Sequence, residues 1–359
     1  MPEEVAWVKI EKLRSFMFDV FRKVGVPEGD AETCADVLIV ADRQGIDSHG
    51  VSRLKPIYID RIRAGQQSPV TNFEVIREGP TTAVIDGHNG MGMVIGKRAM
   101  GIAISKAKKL GMGMVVARNS THFGIAGYYA QMAVNEGLIG VVGTNARPSI
   151  PPTFGTENML GTNPLTFGMP SDEPFPFMLD CATSIIQRGK VEVYARIGKK
   201  VPEGLVIDSN GDYMTDPDEI LRDLTKGKAA LLPIGGLEET GGYKGYGYAT
   251  VVEILSASLQ GGAFLKALNG TNLGHFFIAI DVNPFTDLSD FKKTTGDILR
   301  DLRASRKMPG HDRIYTAGEK EYLTSLEREQ NGIPLNKNLQ KELALLRDEC
   351  GLKSYRFPF

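Results

Sequence analysis

The spacing of apolar residues changes period twice along this 359-residue chain, and that is what most limits how it can fold. From Val5 to about Gly65 apolar side chains recur at helical intervals, as in Leu13, Phe16, Met17, Val20 and Phe21, and again in Cys34, Val37, Leu38 and Val40. From Val75 the pattern breaks into short β-rich runs: Thr82-Ala83-Val84-Ile85, Met114-Val115-Val116, Ile139-Gly140-Val141-Val142 and Phe277-Ile278-Ala279-Ile280. Glycine-rich turns and helix-like stretches separate them, which predicts an α/β body over residues 75–284. After Asn283-Pro284-Phe285 charged amphipathic helices return, at Leu288 to Ser305 and Asn338 to Glu349, joined through Lys307-Met308-Pro309-Gly310. Residues 1–74 and 285–359 are therefore expected to pack together as one helical unit, docked closely on the α/β body with a cleft between them.

Charge and cysteine content narrow the function classes. Lys plus Arg number 42 against 43 acidic residues, a net charge of −1, with no long basic run, so a nucleic-acid partner is not expected. The three cysteines, Cys34, Cys181 and Cys350, are widely spaced, which fits a reducing compartment better than a disulfide framework or zinc ribbon. The start, Met1-Pro2-Glu3-Glu4, has no basic and apolar leader pattern, and no apolar run approaches the ~20 residues that span a bilayer. A cytoplasmic protein without a membrane segment is expected.

Three short stretches carry the chemistry: Asp47-Ser48-His49-Gly50-Val51-Ser52-Arg53, Ser120-Thr121-His122-Phe123-Gly124 and Leu179-Asp180-Cys181-Ala182-Thr183-Ser184. A 2-oxo acid accepting hydride develops negative charge on its carbonyl oxygen, so it needs a proton donor there and a fixed cation for its carboxylate. His49 and Arg53 offer both. With Asp47 or Ser48 as N-cap of a helix running to about Arg63, they would share one face, their Cβ atoms roughly 6 Å apart, and guanidinium suits a carboxylate's two-pronged geometry. A solvated helix face is the plainer reading of such a pair. His122 follows a strand, where α/β proteins collect ligand-binding side chains; a loop histidine bonded to backbone is the alternative. Asp180, with Thr183 and Ser184 after it, suits a ribose or the orientation of a histidine, and equally a helix N-cap.

Gly241-Gly242-Tyr243-Lys244-Gly245-Tyr246-Gly247 precedes a helix-like stretch, Ala249 to Leu259. A glycine-rich turn with a lysine at a helix N-terminus suits an anion such as phosphate, although a plain flexible loop has the same composition. Gly90-Met91-Gly92-Met93-Val94-Ile95-Gly96 misses the dinucleotide fingerprint by one residue and lacks its acidic partner, so it reads as a tight turn. The remaining histidines, His88, His275 and His311, form no metal-ligand spacing, and no metal is expected. Neither a Walker A loop, nor a tyrosine with lysine four positions on, nor a serine-hydrolase elbow is present.

Taken together the stretches resemble the type-2 malate/L-lactate dehydrogenases. The matching elements are Asp47-Ser48-His49-Gly50 with Arg53, Thr121-His122-Phe123-Gly124, Gly161-Thr162-Asn163-Pro164, Leu179 to Ser184, Tyr243-Lys244-Gly245 and Met308-Pro309-Gly310, in the family's order across most of the chain. The resemblance implies an α/β fold with a non-Rossmann, mixed-sheet domain for a nicotinamide cofactor, NAD or NADP, beside a helical domain formed by both chain ends, in a homodimer. It implies hydride transfer between that cofactor and a small 2-hydroxy or 2-oxo acid, malate and oxaloacetate foremost, with lactate, sulfolactate, ureidoglycolate or a cyclic imino acid left open. His49 and His122 match active-site histidines, either of which is credited with proton transfer. Ser48, Arg53 and Thr162 match the substrate side; Asp180, Thr183, Ser184, Lys244, Pro309 and Gly310 match the cofactor side. His311 stands where many relatives carry an acidic residue.

In the resulting mechanism Arg53 clamps the carboxylate, His49 or His122 protonates the alkoxide, and Asp180 holds one histidine in its tautomer. The second cation that malate needs lies open among Arg43, Arg147 and Arg188. Two other classes fit less well: a non-catalytic dinucleotide-binding protein, which every reacting residue type argues against, and a cofactor-independent lyase, which the Lys244 anion site argues against.

Overall fold

The computed structural model describes residues 5–359; Met1-Pro2-Glu3-Glu4, read above for a leader and as the start of the helical unit, lies outside the described residues. The chain begins with β1 (Val5–Val8), α1 (Ile10–Lys23) and α2 (Glu28–Arg43), then a 3-10 turn (Val51–Arg53), a π-type turn (Leu54–Ile59) and the one-turn helix α3 (Asp60–Arg63). α1 is amphipathic: Leu13, Phe16, Met17, Val20 and Phe21 line its buried face. The α/β body follows with β2 (Glu74–Glu78), β3 (Thr82–Asp86), α4 (Gly92–Leu110), β4 (Met112–Ser120), α5 (Gly127–Asn135), β5 (Leu138–Thr144), β6 (Leu165–Met169) and β7 (Phe177–Cys181). A small lobe is built from α6 (Arg188–Arg196), β8 (Val206–Asp208), α7 (Pro217–Lys226) and β9 (Ala229–Leu231), around Val191, Val206, Ile220 and Leu231. α8 (Gly242–Ala257), β10 (Leu273–Asp281), α9 (Leu288–Ala304), α10 (Glu319–Asn331), β11 (Ile333–Asn336) and α11 (Lys337–Glu349) complete the fold.

The central sheet has the order β2-β3-β4-β10-β5-β6-β7. Only β3 and β4 run parallel, with α4 as the crossover between them; the other pairs are antiparallel. The two-residue side-chain period of a strand sorts residues between two layers. On β4 and β10, Val115, Ala117, Phe277 and Ala279 face the core shared with α4 and α5, while Val116 and Phe276 face α8 through Val252. The fold is thus α/β with a mixed sheet, not a doubly wound parallel one, with a helical part formed by both chain ends.

That helical part has its own core, in which Phe16, Phe21, Leu38 and Tyr58 meet Leu335, Leu343, Leu346 and Phe357. β1 and β11, neither of which shows in the apolar periodicity, pair antiparallel from Val5↔Asn336 to Val8↔Ile333. A four-residue strand is defined by its partner, and this partner lies at the far end of the chain. α9 instead joins the α/β body: Arg300 Nη1 reaches Asp172 at 3.0 Å and Glu173 at 2.6 Å in the β6–β7 turn. The 285–359 segment is therefore divided between the two packing units. Met91, Met93 and Val94, at the start of α4, belong to the helical core, whereas Ile95 and Ala99 belong to the sheet core. The N-terminus of α4 is the seam between them.

Candidate active site

At that seam the loop 46–58 of the helical part faces residues 120–124 at the end of β4. The expected helix from Ser48 to Arg63 is not formed. Asp47 and Ser48 cap nothing; residues 47–50 turn, and the chain then winds tightly through the 3-10 and π-type turns. The buried carboxylate of Asp42 does the capping, its Oδ2 accepting from the Val51 N–H at 2.8 Å. Asp47 is used elsewhere, in a two-pronged ion pair with Arg328 of α10, whose Nη1 also donates to the Asp42 carbonyl. Arg53 turns back so that its Nε donates to the Ser48 carbonyl. No other partner is recorded for its guanidinium among the described residues.

The two histidines predicted from separate stretches do come together: the rings of His49 and His122 lie 5.7 Å apart, inclined by 21°. Close packing brings them there. Gly92, the first residue of α4, abuts the loop so tightly that a Cβ on it would lie 2.2 Å from the Thr121 carbonyl oxygen and 2.6 Å from that of His122. Its N–H also donates to Thr121 Oγ1 at 2.9 Å. The glycines of that segment serve this approach and not a dinucleotide.

Each histidine has a hydroxyl at Nδ1. Ser48 Oγ is 2.8 Å from that of His49, and the fully buried Tyr58 hydroxyl is 2.6 Å from that of His122. The Gly124 N–H also points at His122 Nδ1, at 3.3 Å. An amide N–H can only donate, so in the neutral ring Nδ1 accepts and Nε2 carries the hydrogen. When the ring is protonated, the Tyr58 oxygen is the acceptor beside Nδ1. Burial, followed by the positive charges of His49, Arg53 and Arg61, holds His122 well below the usual imidazole value. Burial and then Arg53 lower His49 to about 4. Both rings are neutral at pH 7, and a bound anion would raise both.

Asp180 does not orient either histidine. Its Oδ1 accepts from Thr166 Oγ1 at 2.7 Å and its Oδ2 from the Gly127 N–H at 2.7 Å, at the start of α5. The helix-terminus reading is the one realised, because both oxygens are engaged there. Tyr58 takes the orienting place. It was missed in the sequence, where a tyrosine inside an apolar run looks like any core residue. Arg61 was missed as well; its charge is felt at both His122 and Tyr58. Of the arginines weighed as a second cation, Arg43 is bonded to Glu329 and Arg188 to Glu192 and Thr225. No ion pair is recorded for Arg147 among the described residues.

The cofactor-side residues gather in part. Thr183 is buried, its hydroxyl donating to the Thr162 and Asn163 carbonyls at 3.1 Å, so the Gly-Thr-Asn-Pro turn and the Asp-Cys-Ala-Thr-Ser stretch are tied together. Ser184 bridges to Pro233, whose loop leads into α8. α8 begins seven residues before the expected Ala249, so Lys244 lies in its first turn. The glycines there are forced by contact: a Cβ on Gly242 would sit 1.8 Å from the Gly236 oxygen, and one on Gly245 2.2 Å from that of Ile234. Pro309, Gly310 and His311 lie in the exposed turn after α9, and no hydrogen bond joins them to Ser184 or Lys244 among the described residues.

A family model described as malate/L-lactate dehydrogenase matches residues 8–344. The chain belongs to the malate/L-lactate dehydrogenase family. Its relatives include the malate dehydrogenase of Pyrococcus horikoshii, 45% identical over 349 residues, which are 96% of this chain and 95% of the relative. The L-sulfolactate dehydrogenase of Methanocaldococcus jannaschii is 38% identical over 352 residues, 96% of this chain and 97% of that one. Among solved structures, a malate dehydrogenase from Entamoeba histolytica superposes with a TM-score of 0.96 at 48% identity, covering 99% of this chain and all of that one. Membership in this dehydrogenase family makes the chain an oxidoreductase that uses a nicotinamide cofactor and a small organic acid. The seam provides for such a cofactor. Ser184 Oγ is buried without a hydrogen-bond partner, and Lys244, with no carboxylate recorded beside it, stands with the unpaired N–H groups of the α8 N-terminus, an arrangement that suits a phosphate.

Proposed function

We propose that the protein is an NAD- or NADP-dependent malate dehydrogenase, interconverting (S)-malate and oxaloacetate, with His122 as the proton-transferring residue. The observation that carries the reading is the His122–Tyr58 hydrogen bond lying within the field of Arg53, whose terminal nitrogens have no recorded partner in the protein. When bound, the nicotinamide supplies or takes up the hydride at C2 of the acid. Arg53 holds the C1 carboxylate. His122 presents Nε2 to the substrate oxygen, and as charge builds there during reduction its protonated ring gives up the Nε2 proton. In the opposite direction the neutral ring takes the hydroxyl proton, and the Tyr58 oxygen accepts the Nδ1 hydrogen of the imidazolium that forms. His49, held by Ser48, adds to the local positive field, and Thr162 lines the substrate side. Thr183, Ser184 and Lys244 hold the cofactor, with Asp180 acting through α5 and Pro309 to His311 approaching from the exposed turn.

A homodimer belongs to the same reading. Tyr248, Val251 and Ile254 form an exposed apolar stripe on α8, on the face opposite Val252 and its core partners. The three unpaired cysteines fit a cytoplasmic enzyme; no helix among the described residues is long and apolar enough to cross a membrane.

The test is nicotinamide absorbance with oxaloacetate and pyruvate, NADH and NADPH offered separately, for wild type, His49→Asn, His122→Asn and the double variant. Oxidation with oxaloacetate and its loss in His122→Asn are expected, and the preferred nicotinamide is read directly. A double variant with undiminished turnover would refute the role of the histidines. Oxidation with pyruvate alone would move the substrate to a monocarboxylate.

A further inference from the structure

Arg61 and Arg147 are a pair of cations for which no counter-ion is recorded, and the loop before β10 brings them together. Arg61, on α3, donates from Nη1 to the Gly270 carbonyl at 2.8 Å. Gly270 has φ +89, and a Cβ there would lie 3.5 Å from Arg61 Nη2, 3.4 Å from Arg147 Cδ and 3.5 Å from Arg147 Nε. The two side chains therefore converge on one point, although they stand 86 residues apart in sequence and on different packing units. No carboxylate is recorded within ion-pairing distance of either among the described residues. Arg61 is half-buried, and its guanidinium is held below its ordinary value by burial and then by Arg147.

Two like charges held side by side, one of them partly out of water, cost energy unless an anion completes the arrangement. The fold also takes trouble to keep Arg147 there. Asn163 Oδ1 accepts from the Ala146 N–H at 3.1 Å, and its Nδ2 donates to the buried Glu253 at 2.8 Å and to the Ala249 carbonyl at 3.0 Å. This ties the backbone beside Arg147 to α8 and to the Gly-Thr-Asn-Pro turn. On its other side Arg61 acts on His122 and Tyr58, as Arg53 does.

We propose that Arg61 and Arg147 form the subsite for the second acid group of the substrate, so that the site selects a 2-oxo acid with a carboxylate or sulfonate at its far end over a monocarboxylate. The inference rests on the assignment of the reaction to His122 and Arg53, and deepens it by saying what reads the rest of the molecule. With Arg53 on the C1 carboxylate and His122 at the carbonyl oxygen, the far acid group extends towards Arg61 and Arg147. Arg147, exposed and bonded to nothing recorded, supplies both prongs of its guanidinium; Arg61, anchored on Gly270, supplies Nη2. A pair of arginines answers to charge and not to the atom that bears it, which suits a family whose members are named for malate and for sulfolactate.

The experiment compares kcat/KM for oxaloacetate, sulfopyruvate and pyruvate in wild type, Arg147→Met and Arg147→Lys, and measures thermal stabilisation by malate and by lactate. The methionine keeps the stem and removes the charge. In Arg147→Met the oxaloacetate-to-pyruvate and sulfopyruvate-to-pyruvate ratios should both fall roughly ten- to a hundredfold, mainly through KM, as for a lost charge-assisted hydrogen bond. Arg147→Lys should recover part of both, and the extra stabilisation of wild type by malate over lactate should vanish in the methionine variant. Unchanged ratios in an active Arg147→Met would overturn the subsite and leave the dehydrogenase reading intact. A fall for oxaloacetate without one for sulfopyruvate would overturn the charge-reading argument. A wild type that oxidises NADH or NADPH with none of the three acids would overturn the malate assignment itself, and the subsite with it.

Discussion

Replacing Tyr58 with phenylalanine isolates one interaction. Tyr58 is fully buried, and its ring meets those of Phe21 and His122 edge-on at 5.9 and 5.7 Å. Phenylalanine keeps the ring, so no cavity larger than one oxygen is created. What is lost is the 2.6 Å contact to His122 Nδ1, leaving only the long Gly124 N–H at 3.3 Å. A neutral hydrogen bond contributes about 1 kcal/mol net, and about 1.4 kcal/mol is tenfold in rate. If the hydroxyl stabilises the imidazolium that forms as malate is oxidised, Tyr58→Phe should lower kcat for malate oxidation about five- to tenfold with KM nearly unchanged. Urea unfolding should register a loss of about 1 kcal/mol. Steady-state kinetics with malate and an equilibrium unfolding curve decide it. A variant less stable by that amount but with kcat within twofold of wild type would show that the hydroxyl only packs, and that nothing needs to accept the Nδ1 hydrogen.

Glycines 92 and 101 lie on the same helix but should respond oppositely to alanine. Gly92→Ala must push aside the Thr121 carbonyl, costing about 2 kcal/mol or more and displacing His122, whereas Gly101 has open space and should gain about 0.5–1 kcal/mol; thermal unfolding and kcat report both. His275 is buried between Ser120 and Thr144, and burial lowers it to about 3 against about 6.5 when unfolded. Its contribution is present above pH 6.5 and lost as pH falls. Between pH 7.5 and 5.5 wild type should therefore lose about 1.3 kcal/mol more unfolding free energy than His275→Gln, read by denaturant titration; equal losses would mean that the ring is not held neutral. Arg328→Met frees Asp47 and the Asp42 carbonyl, and hydrogen exchange across residues 46–53 should accelerate more than tenfold while β4 and β10 stay protected.

What the sequence made legible were features carried by local pattern. The apolar stripe of α1, the alternation on β10 and the return of helices after Pro284 each follow from a period that neighbouring residues share. So did the residue types of the site, since His49, Arg53 and His122 stand beside glycines and polar residues that have no place in a core. The missing parts depend on distant partners. β1 and β11 are too short to announce themselves singly, and each exists because the other lies alongside. Tyr58 sits in a run, Leu54 to Ile59, that reads as core and indeed is core, apart from one oxygen. The helix expected at Ser48 failed because Asp42, behind it in sequence, takes over the cap and leaves Asp47 for Arg328. Asp180 was read for both its roles, and only the position of Gly127 and Thr166 decides between them.

The ion pair between Asp47 and Arg328 has a consequence for synthesis. The histidine, the arginine and the tyrosine of the site all lie within the first sixty residues made, yet the group that pins their loop is among the last thirty-five, as is the strand that closes on β1. A chain still emerging, or one cut short before α10, carries its reactive side chains on an unanchored loop. Active-site assembly thus waits for the end of translation, and a truncated product is marked by missing activity before it is marked by any gross defect of the sheet.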